Sequence, residues 1–337
     1  MMKKTISQCM IVKNEEKNIR RALSWGKDIM CEQIVVDTGS SDRTVEIARE
    51  MGAKIFFFPW INDFAAAKNF AIDQAKGDWI AFLDADESFT PEEAAKIPEI
   101  LEYVGEDVDG LLTGIANLDE NNNITDGGTM IRFFVNRPEL RYVGKIHEHL
   151  VRKGESGLHL TDATKQLAFL HTGYQEQEKR DKSKFERNLN IILEILKQEP
   201  ENCDYLGYLG DTYSSDGKNE EARDAYKKAV AAMPEKLGVY DQRSSYTYTN
   251  LLRVSQCLNA PEAEVEAIYK EAVEKLPKEP DFDCVMGDWY WRKGQYEKAV
   301  QMYELAIAKL ETYGTVNRGT ITTSMLIQMY ECLGEGC

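Results

Sequence analysis

Five apolar residues, Trp79-Ile80-Ala81-Phe82-Leu83, run without a break into Asp84-Ala85-Asp86-Glu87. An unbroken apolar run of this length reads as a strand buried on both faces. Gly77-Asp78 before it and Ser88-Phe89-Thr90-Pro91 after it are breakers that fix its ends. The three acids therefore stand where the strand leaves the core, and in an open α/β sheet that carboxyl end is where ligands bind. Three carboxylates in four residues repel one another. They are tolerable at a strand end if a divalent cation sits between them, and hard oxygen ligands suit Mg²⁺ or Mn²⁺. The competing reading is a solvated acidic turn.

Around that strand the N-terminal half alternates strand and helix. Ile6 to Val12 reads as a first strand, and Asn14 could cap the helix carrying Ile19, Ala22 and Leu23. Gln33 to Asp37 is a second strand ending in an acid, and Asp42 can cap a helix from Arg43 to Met51. Ala53 to Phe58 is a third strand, closed by Pro59 and followed by a helix from Phe64 to Lys76. Strands separated by helical patterns imply βαβ units and a mostly parallel, Rossmann-like sheet. A dinucleotide-binding enzyme needs G-x-G-x-x-G after the first strand. Lys13-Asn14-Glu15-Glu16 stands there instead, and no Walker A motif appears. Any phosphates are then held by a metal rather than by a glycine cradle.

Composition narrows the partners. A formal net charge of -16 argues against nucleic acid, whose phosphates need a basic footprint, and against an anionic membrane surface. Seven scattered cysteines without a CxxC suggest reduced thiols in a cytoplasm. No apolar run is long enough for an integral membrane segment, and no signal peptide is evident.

Four stretches in order carry a family resemblance: Met10-Ile11-Val12-Lys13-Asn14-Glu15-Glu16, Ile34 through Thr44, Ala67-Lys68-Asn69-Phe70-Ala71, and Gly77 through Glu87. Together they resemble the family 2 glycosyltransferases of GT-A fold, over about the first 100 residues. The resemblance implies a nucleotide-sugar donor, a UDP-sugar in the first instance, with Mn²⁺ or Mg²⁺ on the DxD carboxylates and inverting hexosyl transfer. It implies that Asp37 contacts the nucleobase, that Val12 and Glu15 flank the nucleoside, and that Lys68 lies near base or phosphate. Asp84 would serve donor and metal, and Asp86 the metal. A turn or capping role is the alternative for Asp37.

All four histidines, His147, His149, His159 and His171, fall in one middle segment. Thr129 to Val135 and Leu140 to Val143 read as a hairpin around Asn136-Arg137-Pro138. Many family 2 enzymes place an acidic pair after the DxD, with its Asp as base. His147-Glu148 stands here instead, and resembles the branch related to lipopolysaccharide-core and glycocin peptide transferases. That makes Glu148 the base, with His147 as the alternative. His171 resembles the late histidine that completes the metal shell in many GT-A enzymes; a capping or core histidine is the alternative. Arg132 and Arg141 could hold donor phosphate or pair with surface acids. His149 and His159 read as surface residues.

The C-terminal half is a repeat. Leu206, Leu209, Gly210, Tyr213, Ala222, Tyr226, Ala229 and Pro234 match the tetratricopeptide spacing. A weaker copy carries Leu252, Val265, Tyr269, Ala272 and Pro277, and a third carries Met286, Gly287, Tyr290, Ala299, Tyr303 and Ala306. Tyr269 and Tyr303 are 34 residues apart, the repeat's own length. Repeats over about 203–236, 246–279 and 280–313 follow, with a leading helix at Lys184 to Lys197 and a capping helix over 320–333. The concave groove of such a solenoid binds a polypeptide; a dimerising or stabilising domain is the alternative.

The expected architecture is thus a GT-A α/β domain over 1–178 and an all-α tetratricopeptide-repeat domain over 179–337, in a bacterial-type cytoplasm. The arrangement resembles peptide S- or O-glycosyltransferases of the sublancin type and flagellin glycosyltransferases, which implies a Ser/Thr or Cys side chain as acceptor. A cell-surface glycan transferase with a saccharide acceptor is the nearest rival. A repeat scaffold with an inactive transferase domain is the rival of another class.

Overall fold

The computed structural model describes residues 4–155, 157–172, 182–238, 241–314, 321 and 323–335. The chain divides into two compact units, Met1–Arg180 and Asp181–Cys337.

The first unit is an α/β domain. Its elements are β1 (Ile6–Val12), α1 (Ile19–Ser24), β2 (Glu32–Asp37), α2 (Thr44–Glu50), β3 (Lys54–Phe57), α3 (Phe64–Asp73) and β4 (Trp79–Phe82). They continue with β5 (Glu87–Ser88), α4 (Pro91–Ala94), α5 (Ile97–Tyr103), β6 (Gly110–Leu118), β7 (Ile124–Val135), β8 (Leu140–Val143), β9 (His149–Arg152), β10 (Leu160–Asp162) and β11 (Ala168–His171). The main sheet runs β3-β2-β1-β4-β7-β6-β11-β5, with β10 beside β6. β3, β2, β1 and β4 are parallel, whereas β7 is antiparallel to both β4 and β6. Trp79 and Ala81 pack into one core cluster, and Ile80 and Phe82 into another. Strand β4 is therefore buried on both faces, as its unbroken apolar run requires.

Two local expectations are corrected. Thr129 to Val135 does not form a hairpin with Leu140 to Val143. β7 enters the main sheet between β4 and β6, and β8 pairs with β9 in a separate two-stranded sheet. Phe133 and Phe134 explain this: both are fully buried, in clusters on opposite faces, and a lone hairpin would leave one of them in water. Asn14 does not cap α1. It sits at φ 58, and its Oδ1 accepts the Ser41 amide at 2.8 Å, tying the loop after β1 to the loop after β2. Asp42 does accept the Thr44 amide, at 3.0 Å, at the head of α2.

The second unit is helical: α6 (Lys182–Gln198), then α7 (Cys203–Ser215), α8 (Asn219–Ala232), α9 (Gln242–Cys257), α10 (Glu262–Lys275), α11 (Asp281–Arg292), α12 (Tyr296–Tyr313) and α13 (Thr323–Glu335). Two hairpins repeat one device. A Cβ at Gly210 would lie 2.4 Å from Tyr226 Cε1, and one at Gly287 2.5 Å from Tyr303 Cε1, so the tyrosine ring rests directly on the facing helix. The neighbouring acid then accepts the hydroxyl, Asp211 from Tyr226 and Asp288 from Tyr303, each at 2.8 Å. The middle hairpin departs. Arg253 stands where its neighbours have glycine, and Tyr269 donates forward to Asp283 in α11, at 2.6 Å. No helix among the described residues is long and apolar enough to cross a membrane, and the six described cysteines are free thiols.

Candidate functional site

The carboxyl ends of β1, β2 and β4 form one rim. Asp37 closes β2 and is 4% exposed. Its Oδ2 accepts the amides of Gly39 and Ser40 at 3.0 and 3.1 Å, so in this state the carboxylate shapes its own turn. Val12 is buried, and its carbonyl accepts the Thr38 amide at 3.0 Å. Glu15 is held next to it, its amide donating to Thr44 Oγ1 at 2.7 Å and its Oε2 accepting from Asn18 at 2.9 Å.

Beside that rim lies a buried charge cluster. Lys68 comes from α3, whose start is capped by Asp63 accepting the Ala66 amide at 2.8 Å. Lys68 is only 5% exposed, and its Nζ lies 2.7 Å from Glu148 Oε1 and 3.9 Å from Asp84 Oδ1. It rests 5.2 and 5.0 Å from the ring centroids of Phe82 and Tyr142. Burial works against the ammonium, but Asp84 and Glu148 outweigh it and hold the lysine above its ordinary value. Arg132, 4% exposed on β7, bridges Asp84 Oδ2 at 3.2 Å and Glu87 Oε1.

The three acids after β4 meet three different fates. Glu87 turns inward, accepts the Asp84 amide at 3.0 Å, and is pushed up by burial to about 7 against the pull of Arg132. Asp84 also faces burial, yet Lys68 and Arg132 keep its carboxyl below the usual range. Asp86 looks away from both cations. Its Oδ2 lies 3.3 Å from His171 Nε2 at the end of β11. His171 Nδ1 lies 2.8 Å from Asn117 Oδ1 on β6, an arrangement in which Nδ1 donates. With Nδ1 so engaged, Nε2 faces a carboxylate, and either a proton or a metal ion must lie between them. Asp86 opposite lifts the imidazole above its ordinary value accordingly. The donor set thus suits a divalent cation at Asp86 and His171, with Asp84 committed to cations of the chain. No group of three or more His, Cys, Asp or Glu gathers as a ready-made metal site among the described residues.

His147 and Glu148 follow a turn fixed from α3. The Phe64 amide donates to Lys145 O at 2.8 Å, and Asn69 exchanges two 2.9 Å bonds with the backbone of Tyr142. Asn69 therefore works as a strand partner for β8. His147 adopts φ 54, and the other non-glycine residues with positive φ among those described are all asparagines. This left-handed step turns the chain so that Ile146 enters the core and Glu148 faces Lys68. The His147 side chain is exposed, as are His149 and His159. Arg141 pairs with Asp73 at 2.9 Å, away from the cluster.

Two participants carried no local signal. Asn117 orients His171 from a strand more than fifty residues earlier. Arg21 of α1 donates to Thr172 Oγ1, and Thr172 in turn bonds the Asp86 carbonyl through its amide at 3.1 Å. Only the pairing of β6 with β11 and of β5 with β11 brings them together.

Comparison with known proteins places names beside this geometry. Residues 7–153 match glycosyl transferase family 2, and residues 205–235 and 285–314 match tetratricopeptide repeats. The SPbeta prophage-derived glycosyltransferase SunS of Bacillus subtilis is 33% identical over 231 residues, covering 67% of this chain and 53% of that protein. A TPR repeat-containing protein of Synechococcus elongatus is 29% identical over 316 residues, or 90% of this chain and 75% of its own. An uncharacterized glycosyltransferase of Rickettsia bellii is 40% identical over 104 residues, 31% of this chain and 34% of that one. The chain spans about half the length of SunS, at 53%. Among solved structures, S. aureus TarS 1–349 in complex with UDP-GlcNAc aligns with 15% identity and a TM-score of 0.44, covering 77% of this chain and 93% of that one.

Proposed function

Because residues 7–153 form a glycosyltransferase family 2 domain with tetratricopeptide repeats after it, we propose that this chain moves a sugar from a UDP-sugar to a polypeptide side chain, with inversion. The observation that carries the reading is the convergence of Lys68, Arg132, Asp84 and Glu148 at the carboxyl end of β4, inside that domain.

Each residue has a task in that reaction. Asp37, Val12 and Glu15 line the nucleoside end of the rim. Lys68 and Arg132 are fixed positive charges for the donor diphosphate, pre-organised because their counter-charges already hold them. A divalent cation on Asp86 and His171, with Asp84 beside them, would neutralise charge developing on the leaving group. Glu148 accepts the proton of the acceptor hydroxyl or thiol. The acceptor oxygen or sulfur then bonds to the anomeric carbon as the sugar–phosphate bond breaks, and that electron pair leaves with the nucleoside diphosphate. Lys68 links the two ends. A diphosphate that draws its ammonium loosens the 2.7 Å pair with Glu148 and leaves the carboxylate available as base. The repeat unit supplies the polypeptide-binding surface.

The test is release of nucleoside diphosphate from UDP-glucose and UDP-GlcNAc, with Mn²⁺ and with EDTA, alongside thermal shifts for the same panel. Metal-dependent release is expected. Neither release nor a shift from any nucleotide sugar would overturn the reading and favour a binding scaffold with an inactive domain.

A further inference from the structure

The pair formed by Asp86 and His171 rests on little structure of its own. β5 is an edge strand of two residues, and its ladder with β11 pairs Leu170 with Ser88 and His171 with Glu87. The next rung is the Thr172 amide on the Asp86 carbonyl, at 3.1 Å. So short a strand has few bonds to hold it, and fraying ends are the least stable parts of a fold. No cation of the chain holds the Asp86 side chain either. Among the described residues its carboxylate pairs with His171 alone, whereas Asp84 and Glu87 share Arg132.

Arg21 of α1 reaches this rung from 151 positions away, its Nη2 donating to Thr172 Oγ1 at 2.5 Å. Thr172 is buried, so its hydroxyl must find partners inside the protein. An arginine can only donate, so the hydroxyl oxygen accepts from it and directs its own proton to the Asp86 carbonyl, 3.1 Å away. The Asp86 backbone thus receives two bonds from Thr172, one from the amide and one from a hydroxyl whose direction Arg21 sets. A charged donor at the head of such a chain strengthens the bonds that follow it.

We propose that Arg21 is a positioning residue for the divalent cation. Through the Thr172 hydroxyl it holds the Asp86 backbone, and so keeps the Asp86 carboxylate opposite His171 Nε2. Groups that orient a metal's ligands govern its affinity by about 10–100-fold. The proposal rests on the reading of Asp86 and His171 as the cation site. It gives Arg21 no contact with the donor, and the test involves no sugar transfer.

Uptake of Mn²⁺ by the full chain with UDP present is read from the electron paramagnetic resonance signal of free Mn²⁺, and UDP binding in EDTA is read by calorimetry. Arg21→Met should weaken Mn²⁺ uptake by about tenfold or more and leave UDP binding in EDTA within about twofold. Arg21→Lys, which keeps a charged donor, should recover part of the loss. Thr172→Val should reproduce the loss, and the double variant should be no worse than either change alone, because both break one chain of bonds. Arg20→Met removes the preceding charge on α1, where Arg20 pairs with Glu50 at 3.1 Å, and should leave Mn²⁺ uptake unchanged. An Arg21→Met protein that takes up Mn²⁺ like wild type would overturn the proposal, whether or not Thr172→Val folds. So would additive losses in the double variant, or weaker UDP binding in EDTA, since Arg21 would then act on the nucleotide directly. A wild type that takes up no Mn²⁺ would remove the cation reading itself, and this proposal with it.

Discussion

Both units bury charge and hydroxyl groups, but they satisfy them in opposite ways. In the α/β unit, Lys68 and Arg132 meet Asp84, Glu87 and Glu148, five residues from four separate stretches of the chain. In the helical unit, a tyrosine meets an acid at a fixed fifteen-residue offset, Asp211 with Tyr226 and Asp288 with Tyr303. The tyrosine adds a neutral donor to each acid, although Asp211 also meets Arg243 at 2.7 Å. A buried ion cluster is a weak source of stability, and replacing it with apolar side chains is often neutral. The helical unit therefore uses its polar contacts to hold a shape. The α/β unit keeps an arrangement that stability alone would not favour, which is the usual mark of a site of chemistry.

That contrast can be broken by substitution. The largest effect belongs to Glu148→Gln, expected to lower nucleoside diphosphate release by about 10²–10⁴-fold while donor binding survives. His147→Asn and His147→Gly should stay within about tenfold of wild type, because both tolerate the left-handed conformation at φ 54. If the His147 variants lose activity and Glu148→Gln does not, the base is His147.

Gly287→Ala should act on stability alone. Its methyl would press on a ring carbon of Tyr303 at 2.5 Å, for a loss of about 1–3 kcal/mol in urea unfolding. A neutral result would show that the ring has room to slide, and the account of the hairpin device would fall. Tyr303→Phe removes one hydroxyl from Asp288 and should cost about 1 kcal/mol, with no change in nucleotide release.

The smallest effect is in pH. Burial opposes the Glu32 carboxylate, but Lys54 at 2.6 Å, Ser7 and the Lys76 amide hold it below its ordinary value. A depressed carboxyl contributes stability above its unfolded value of 4.5 and loses it as pH falls through the folded one. Lys54 is 53% exposed, so the effect is screened. Unfolding at pH 7 and pH 4 should show a shallower loss for Glu32→Gln than for wild type, and parallel losses would remove Glu32 from the acid response.

What the sequence made legible follows the same division. Trp79 to Leu83 and the Gly–Tyr offsets are local patterns whose spacing already implies the geometry, so β4 and the hairpins could be read directly. Asp84, Asp86 and Glu87 could be found but not told apart, because Arg132 and His171, which sort them, arrive on β7 and β11. The Lys68–Glu148 pair spans eighty positions and has no periodic trace. The misread hairpin at 129–143 failed for the same reason: strand choice was decided by burial against β4 and β6, not by the short turn between neighbours.

The departure of the middle hairpin reaches further than its one misplaced bond. Tyr226 and Tyr303 close contacts inside their own helix pairs, so each of those pairs holds part of its stability privately. Tyr269 spends its hydroxyl on Asp283, while Tyr290 reaches back to Glu266 at 2.7 Å. Helices α10 and α11 thus hold each other across the repeat boundary. In a solenoid whose stability is a sum of single-repeat and nearest-neighbour parts, this moves weight from the former to the latter. Amide hydrogen exchange in α10 and α11 should then proceed through one shared opening.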